Sequence, residues 1–564
     1  MASREARRDV TLIAVRLRRT RARLAAIGLL AGCVGAITEA PDSAPGRGVD
    51  GPGAGVDGPG AGVDGPGPAD AAGARLDARI DASIDARTTF ADAPSNPILD
   101  GPLVVSSNPR YFADRHGRAL ILGGSHTWND LQDWGTGGSI QPFDFDAYTS
   151  FLVAHGHNFT LLWRTELPKF CALPTTETNP PDFASSSQPW ARTGPGTASD
   201  GGPKFDLAQF DPSHFDRLRS RVAKLNAAGI WVGVYLFTGE WLSAFRCAGD
   251  GYPLTGGNNV NGIDAGTGHG SMTMTAPNDI TAIQDAMVDK TIDTLNDLPN
   301  VLWIVSEEAA ADTTWWQGHM IAHVRAYESA KPMQHPIGLG AIAGAPDSTI
   351  YNSDADWVAP FAQISPTMTC GTGTPQCKVN INDSDHSYFG LWNDTAQANR
   401  AYAWKNFLGG NQVIFMDPYV VYYPRQNRNN CTSPTNGICS APDARWNNFR
   451  DNLGYIVSYS RRLNLNAAQP HPSLSSTGYC LGQTAAVGTE LLIYNPDAGP
   501  ITVDLTSAAN RTMSYEWLDP VNGQVAGTGT VAGGSSAQSF PAPASLTSDA
   551  VLYIVDSAGH AGAR

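Results

Sequence analysis

Residues 300–308 read Asn-Val-Leu-Trp-Ile-Val-Ser-Glu-Glu, a short apolar run that ends in two acidic residues. Helix-like amphipathic stretches lie on both sides of it, at 280–298 and 315–330. Other short apolar runs repeat this alternation, and they cover 119–124, 159–163, 230–237, 336–339, 357–358, 378–382 and 412–416. Strands that alternate with helices are typical of βαβ units in a parallel sheet. Eight such units within residues 97–465 predict an α/β fold, a (β/α)8 TIM barrel.

The competing architecture is a doubly wound open sheet. That fold normally carries a glycine-rich phosphate loop after its first strand, and Gly123-Gly124-Ser125-His126 does not have that pattern. After residue 465 the helical pattern stops, and short strands such as 489–494 and 550–555 are divided by Asn, Asp, Gly and Pro turns. Residues 466–564 are therefore predicted to form a small antiparallel β-sandwich.

The N-terminal residues 1–33 have the order of an export signal: arginines, a short apolar run and small residues. Leu30-Ala31-Gly32-Cys33 resembles the bacterial lipobox, which implies lipidation of Cys33 and, with Val34 next to it, anchoring at the outer membrane or cell surface. An ordinary signal peptide is the alternative. Residues 34–96, rich in Gly, Pro, Asp and Ala, are predicted to be a disordered tether.

The composition narrows the choice of partners. The chain has 53 acidic residues against 38 basic ones, a formal net charge of −15, which disfavours nucleic acid and anionic lipid surfaces. Beyond the N-terminus no apolar run is long enough to span a membrane. No cofactor or metal motif is found, and a monomer is expected. The cysteine spacing predicts disulfides in loops for the pairs Cys171 and Cys247, Cys370 and Cys377, and Cys431 and Cys439. Cys480 would then be a free thiol.

Candidate functional residues are the polar and aromatic side chains just after the predicted strands, because a barrel carries its site at the carboxyl ends of its strands. These residues are His126, Trp128, Asn129, Trp163, Arg164, Glu166, Glu240, Trp241, Ser306, Glu307, Glu308, Asp383, Asp385, His386, Asp417 and Tyr419. They predict an acidic pocket with aromatic walls. Such a pocket suits a sugar, whose C–H faces stack on rings and whose hydroxyls donate to carboxylates.

Two acidic strand ends, the fourth and the seventh, are placed to act together. Cleavage of a glycosidic bond needs one protonated carboxyl and one ionised carboxyl. Structural interpretations are also open: Glu307 and Glu308 could begin a helix in solvent, and Asp383 and Asp385 could form a turn or helix cap. His126 and His386 could likewise be ordinary hydrogen-bonded histidines.

The run 300–308 resembles the strand-four signature of clan A glycoside hydrolases, an apolar strand followed by Asn-Glu. This resemblance implies that Glu308 is the general acid/base and that Glu307 stands where the family has Asn. It implies a carboxylate nucleophile or base at strand seven, with Asp385 preferred and Asp383 as the alternative. An Asp here, where most of the clan uses Glu, leaves retention or inversion open.

Four further segments resemble the cellulase-like and apiosidase-like barrels that carry a C-terminal collagen-binding-type β-sandwich; they are 158–164, 258–263, 382–386 and 404–419. The resemblance implies an exported glycoside hydrolase acting on a poly- or oligosaccharide. The residues expected to position the sugar are His126, Trp128, Asn129, Trp163, Arg164, Glu307, His386, Asp417 and Tyr419. The alternatives are a non-catalytic carbohydrate-binding surface protein, favoured by the acidic Glu307, and a structural surface protein. Substrate, linkage and endo or exo action stay open.

Overall fold

The computed structural model describes residues 99–170, 183–244, 246–266, 268–361, 377–384, 395–422, 431 and 433–558. The predicted signal and tether, Cys33, Asp385 and His386 lie outside these described residues and stay predictions. The described barrel and C-terminal sheet belong to one compact unit, Pro94–Arg564.

Eight parallel strands close into a barrel, which confirms the predicted fold class. In chain order they are β1 (Gly123–His126), β2 (Phe159–Leu162), β3 (Trp231–Tyr235), β4 (Val301–Ile304), β5 (Ile337–Gly340), β6 (Trp357–Ala359), β7 (Val379–Asp383) and β8 (Gln412–Met416). Each strand pairs with its sequence neighbours, and β8 pairs with β1 to close the ring. The strands are buried along their lengths, as expected for a sheet covered by helices.

Helices follow most strands and pack outside the barrel. Those of ten or more residues in the described part are α1 (Phe145–Ala154), α2 (Pro212–Ala227), α3 (Asp279–Leu295), α4 (Thr314–Glu328), α5 (Ala396–Leu408) and α6 (Asn447–Ser460). Side chains next to the helix starts cap their first N–H groups. Asp144 accepts from the Ala147 N–H before α1, and Asn278 forms a capping box with Thr281 at α3. None of the described helices is long and apolar enough to cross a membrane.

The start of the barrel differs from the prediction. The apolar run 119–124 is divided: Ala119–Leu120 joins a three-stranded antiparallel sheet with Val104–Val105 and Phe112–Ala113, and the barrel strand covers Gly123–His126. The hydrophobic pattern did not locate the barrel strand, because this strand consists of small and polar residues that allow close packing against its neighbour. A side chain at Gly124 would collide with the backbone carbonyl of Phe159 on the neighbouring strand.

The remaining short elements lie between the barrel units. Strands Asp133–Thr136, Phe183–Ser186 and Lys169–Phe170 form one small sheet, Trp190–Thr197 and Pro203–Phe210 form a hairpin, and Ala309–Ala310 pairs with Ile342–Ala343. Short α-helical turns span Glu240–Ala244 and Ser348–Tyr351. Short 3-10 helices span Gly256–Asn258, His269–Met272, Ala311–Thr313, Ala444–Trp446, Pro472–Leu474 and Thr506–Ala508.

The C-terminal strands form the predicted antiparallel structure. They are β9 (Gln469–Pro470), β10 (Cys480–Gln483), β11 (Glu490–Asn495), β12 (Ile501–Val503), β13 (Thr512–Asp519), β14 (Gln524–Ala532), β15 (Gln538–Phe540) and β16 (Ala550–Asp556). Six make one sheet in the order β9-β10-β11-β16-β13-β14, and β12 pairs with β15.

Both faces of the central sheet strands are buried. Leu492 and Tyr553 belong to the apolar core that continues into the barrel, whereas Leu491 and Ile554 belong to a second core inside the C-terminal domain. Polar contacts reinforce the junction: the Arg400 guanidinium of α5 binds the buried carboxylate of Asp549, with Nε 3.0 and 3.2 Å from its two oxygens. The sheet is thus packed onto the barrel as a fixed layer.

The cysteines follow the prediction only in part. Cys480 is a buried free thiol, as predicted. The disulfide predicted between Cys431 and Cys439 is wrong, because both are free thiols. A hydrogen bond links their side chains, and burial raises the pKa of the Cys439 thiol, which favours its protonated form. Cys171 and Cys370 lie outside the described residues, so their predicted bonds stay predictions.

Candidate active site

Five buried side chains form a connected arc at the carboxyl end of the barrel. His126 ends β1, Trp163 follows β2, Tyr235 ends β3, Glu307 follows β4 and Asp383 ends β7. Side chains alternate along a strand, so residues of one parity face the barrel interior while the others face the helices. By this parity His126, Trp163, Tyr235 and Asp383 face the interior. Glu307 lies beyond the last residue of β4 and joins them through its hydrogen bond with Tyr235.

The Asp383 side of this arc is a short polar chain. His126 is 0% exposed, and its Nε2 atom lies 2.8 Å from Oδ2 of Asp383, which is itself 4% exposed. On the other side of the imidazole, the indole Nε1–H of Trp163 donates to Nδ1 of His126 over 2.6 Å. The Trp163 backbone N–H donates to Oδ1 of Asp130 over 2.9 Å, which anchors the indole from behind.

The Glu307 side continues from the same indole. The Tyr235 ring stacks on Trp163 with centroids 4.2 Å apart, and its hydroxyl donates to Oε2 of Glu307 over 2.9 Å. Glu307 is 3% exposed, and Gly340 of β5 makes room for it, since any side chain at that position would collide with the Glu307 carboxylate. Two carboxylates, from strands four and seven, are therefore joined through three buried rings.

The chain turns sharply directly after Glu307. Glu308 has a φ of +48°, a left-handed conformation that is unfavourable for a residue with a Cβ atom, and its side chain is partly exposed. The Glu307 carbonyl accepts from the Glu240 N–H over 2.9 Å, and it lies so close to Gly239 that a side chain there would collide with it. Strained backbone held by its surroundings is common at functional sites.

Two residues predicted to bind the sugar have the opposite parity and face the helices. Arg164 packs Nη1 3.0 Å from Sδ of Met287 on α3, and burial lowers the pKa of its guanidinium. Asp417 receives two hydrogen bonds of 2.7 Å from Arg450 of α6, and both side chains are fully buried. The structure does not bring these two residues into the arc, and their sugar-binding role stays a prediction.

The other predicted residues are buried near the barrel mouth. Tyr419 packs against Phe151 and Tyr148, with ring centroids 4.9 and 5.0 Å away, and burial raises the pKa of its hydroxyl. Trp128 and Asn129 follow His126 and are also buried. The sugar-binding role of these three residues stays a prediction.

Sequence reasoning missed Tyr235. It lies inside the apolar run 230–237, so a search for polar residues after each run passed over it. The strand period of two identifies Tyr235 as an inward-facing residue. Gly233, two residues earlier on the same strand, faces Leu161 and Phe159 in the barrel interior, so Tyr235 points the same way. The described residues contain no group of three or more His, Cys, Asp or Glu side chains arranged to hold a metal ion.

Comparisons with known proteins agree with this architecture. A family model described as "Putative collagen-binding domain of a collagenase" matches residues 480–555. The whole fold is similar to a glycoside hydrolase family 5 protein from Bacteroides vulgatus, at 13% identity and a TM-score of 0.52, covering 83% of this chain and 96% of that one. It is also similar to a protein described as "Glycoside hydrolase", at 13% identity and a TM-score of 0.50, covering 81% and 97%. No curated protein matches the sequence.

At such low identity these structural similarities show the fold alone. They confirm the sequence resemblance at that level: the chain has a (β/α)8 barrel like those of family 5 glycoside hydrolases, followed by a β-sheet domain whose sequence matches a collagen-binding-domain model.

Proposed function

We propose that this protein is a glycoside hydrolase that cleaves O-glycosidic bonds with two carboxyl groups. The observation that carries the proposal is the buried arc in which Asp383, the first of these carboxyl groups, is connected through His126, Trp163 and Tyr235 to Glu307. Glu307 directly precedes Glu308, the second carboxyl group, after a strand nearly opposite that of Asp383. Carboxylates beside aromatic rings at the carboxyl end of a barrel suit a bound sugar.

Asp383 supplies the ionised carboxylate in this proposal. It faces inward at the end of β7, and its Oδ2 atom lies 2.8 Å from Nε2 of His126. Asp383 either bonds to the anomeric carbon or takes a proton from the water that attacks this carbon. Asp385, the residue preferred from the sequence, lies outside the described residues.

Glu308 supplies the general acid, the role that the sequence resemblance implies. It donates its proton to the glycosidic oxygen as the carbon–oxygen bond breaks. If Asp383 has bonded to the anomeric carbon, Glu308 recovers a proton from the water that releases the sugar; if Asp383 has taken the proton of the attacking water, Glu308 is reprotonated from solvent. The turn at Glu308 separates it from the buried Glu307, which is bound by Tyr235. Glu307 then accepts a hydrogen bond from a sugar hydroxyl in place of the family's Asn, without entering the proton transfer.

We also propose that the protein works outside the inner membrane, attached through a lipid on Cys33, with residues 34–96 as the tether. The support is the lipobox-like tetrad and the composition of the segment that follows it. Globomycin-sensitive processing of the precursor, or incorporation of labelled palmitate that Cys33→Ser abolishes, tests this part independently of activity.

The experiment for the activity is release of reducing ends by the purified protein from a panel of plant and microbial polysaccharides. Glu308→Gln and Asp383→Asn are each expected to lower the rate by at least about 10²-fold, since each removes a group from acid–base chemistry. Asp216→Asn, which changes an exposed carboxylate on the outer face of α2, is the matched control and keeps full activity.

Two results would contradict the proposal. Full activity in both Glu308→Gln and Asp383→Asn would remove these residues from the chemistry. Retention of a glycan by the wild type without any release of reducing ends would instead favour the carbohydrate-binding protein that the acidic Glu307 already suggests as an alternative.

A further inference from the structure

The hydrogen bond between Trp163 and His126 determines which imidazole nitrogen carries the proton. An indole N–H can only donate, so the imidazole atom that faces it, Nδ1, must accept with its lone pair. A neutral imidazole carries a single N–H, and here that proton has to be on Nε2. Nε2 is the atom that lies 2.8 Å from the Asp383 carboxylate.

We propose that Trp163 and His126 are positioning residues for Asp383: the indole holds His126 in its neutral Nε2–H tautomer, and His126 thereby presents one uncharged donor to the carboxylate. The proposal rests on the proposed function only for what Asp383 does to a substrate. The assignment of the tautomer depends on the geometry alone.

The other tautomer is disfavoured at both ends of the imidazole. With the proton on Nδ1, two N–H groups would face each other across the 2.6 Å between Trp163 and His126. At the same time Nε2, which lies 2.8 Å from Oδ2 of Asp383, would place an unprotonated nitrogen beside the negative oxygen. Neither group can turn to water for relief, because His126 is 0% and Trp163 4% exposed.

The indole has little freedom to leave this arrangement. Its backbone N–H is bound by Asp130, and its ring is stacked on Tyr235, whose hydroxyl is bound by Glu307. A shift of Trp163 would therefore disturb contacts from strands one, three and four together. The rigid indole makes the tautomer of His126 a fixed property of the folded barrel.

An uncharged donor has a specific consequence for Asp383. A hydrogen bond from neutral imidazole orients one carboxylate oxygen, whereas a cationic partner would also offset its charge and weaken it as a nucleophile or base. The Nε2–H is not aimed straight at Oδ2 although the distance is short. Contacts of this kind commonly tighten when substrate binds.

The first test is nitrogen NMR of the full protein labelled with ¹⁵N at histidine, without any substrate. The His126 signals are identified as those that His126→Gln removes from the spectrum of the twelve histidines. We expect Nε2 to carry the proton and Nδ1 to show the shift of an unprotonated nitrogen. A proton found on Nδ1 would overturn the proposal.

Trp163→Phe then removes the indole N–H while keeping a ring against Tyr235. The expected result is a mixture of the two His126 tautomers, whereas Trp315→Phe, on the outer face of α4, leaves the His126 signals unchanged. An unchanged His126 spectrum in folded Trp163→Phe would show that the indole does not set the tautomer, and it would overturn the proposal.

The second test separates positioning from folding by kinetics. His126→Gln keeps an amide N–H that can reach Asp383, and His126→Leu keeps the volume without a donor. We expect kcat to fall by about 10²-fold in His126→Leu and Trp163→Phe with little change in KM, and His126→Gln to recover part of this loss. Equal kcat in His126→Leu and the wild type, both folded by circular dichroism, would contradict a positioning role.

The two tests fail in different ways. If the wild type releases no sugar from any substrate, the proposed function fails while the tautomer assignment still stands or falls on the NMR spectrum. If the wild type is active but Nδ1 carries the proton, the glycosidase proposal survives and this inference is refuted.

Discussion

The pair formed by Asp417 and Arg450 offers a sharp test of how the barrel mouth is built. Arg450 of α6 binds both oxygens of Asp417 over 2.7 Å, and its Nη1 atom donates to the Asp443 carbonyl over 2.8 Å and to the Asn447 side chain over 2.9 Å. Asp417 comes directly after β8, so the pair joins a strand end to the helix outside it. The perturbation is Arg450→Met, which keeps much of the side-chain volume but removes the charge.

The magnitude follows from what the substitution leaves behind. Asp417 is 0% exposed, and without Arg450 it keeps a hydrogen bond only from the Tyr419 N–H, at 2.8 Å, among the bonds described here. Removing one partner of a buried ion pair typically costs about 3–5 kcal/mol of stability, because the other charge stays buried. Replacing both residues, as in Asp417→Leu/Arg450→Met, is expected to cost much less than the two single changes together.

The assay is urea unfolding followed by tryptophan fluorescence for the two single variants, the double variant and a control. Arg219→Met is the control, because Arg219 pairs with Asp297 at 2.7 Å while their side chains are 45% and 62% exposed, and a loss of only about 0–1 kcal/mol is expected. A loss in Arg450→Met no larger than in Arg219→Met would refute the reasoning.

Asp417→Asn extends the same test to function. If Asp417 is structural, this variant loses stability but keeps its kcat/KM per folded molecule. If it binds the sugar, as predicted from the sequence, kcat/KM falls while the unfolding midpoint changes little.

Three further predictions concern other parts of the fold. Gly340→Ala should displace the Glu307 carboxylate and lower kcat while the chain stays folded, measured by sugar release and circular dichroism; unchanged kcat would contradict the described packing. A hydrogen bond from Arg511 lowers the pKa of Asp556 to about 2, so this stabilisation is present above about pH 4 and is lost as the pH falls toward 2. The difference in unfolding free energy between the wild type and Arg511→Met, measured by urea unfolding, should therefore shrink as the pH falls from about 4 toward 2. A difference that stays constant over this pH range would refute the role of Arg511. Arg400→Met should cost about 3–5 kcal/mol, because the buried Asp549 carboxylate in the domain junction loses its cationic partner; a change below about 1 kcal/mol would argue against a fixed junction.

The fixed junction bears on the C-terminal domain. The sheet within residues 480–555, the segment that matches the collagen-binding-domain model, has one face in its own core and the other against the barrel. Neither face of the central strands is open to a ligand. The central strands therefore pack the domain against the barrel.

Periodicity predicted most of the barrel correctly. The apolar runs at 159–163, 301–305 and 412–416 match β2, β4 and β8 within a residue or two, because a strand buried on both faces reads as continuous hydrophobicity. β1 escaped the same reasoning because its residues Gly-Gly-Ser-His are small or polar. Their burial depends on close packing against Phe159, which is distant in sequence.

Sequence by itself determined the α/β barrel class, the antiparallel C-terminal domain and two acidic strand ends, since each depends on local periodicity or on residues next to a strand. Tertiary structure decided which side chains share a site. Parity along a strand sends Asp383 inward and Asp417 outward, although both are acidic residues at strand ends. Only barrel closure brings β8 beside β1, and only that closure lets His126 reach across to Asp383 while Trp163 fixes its proton.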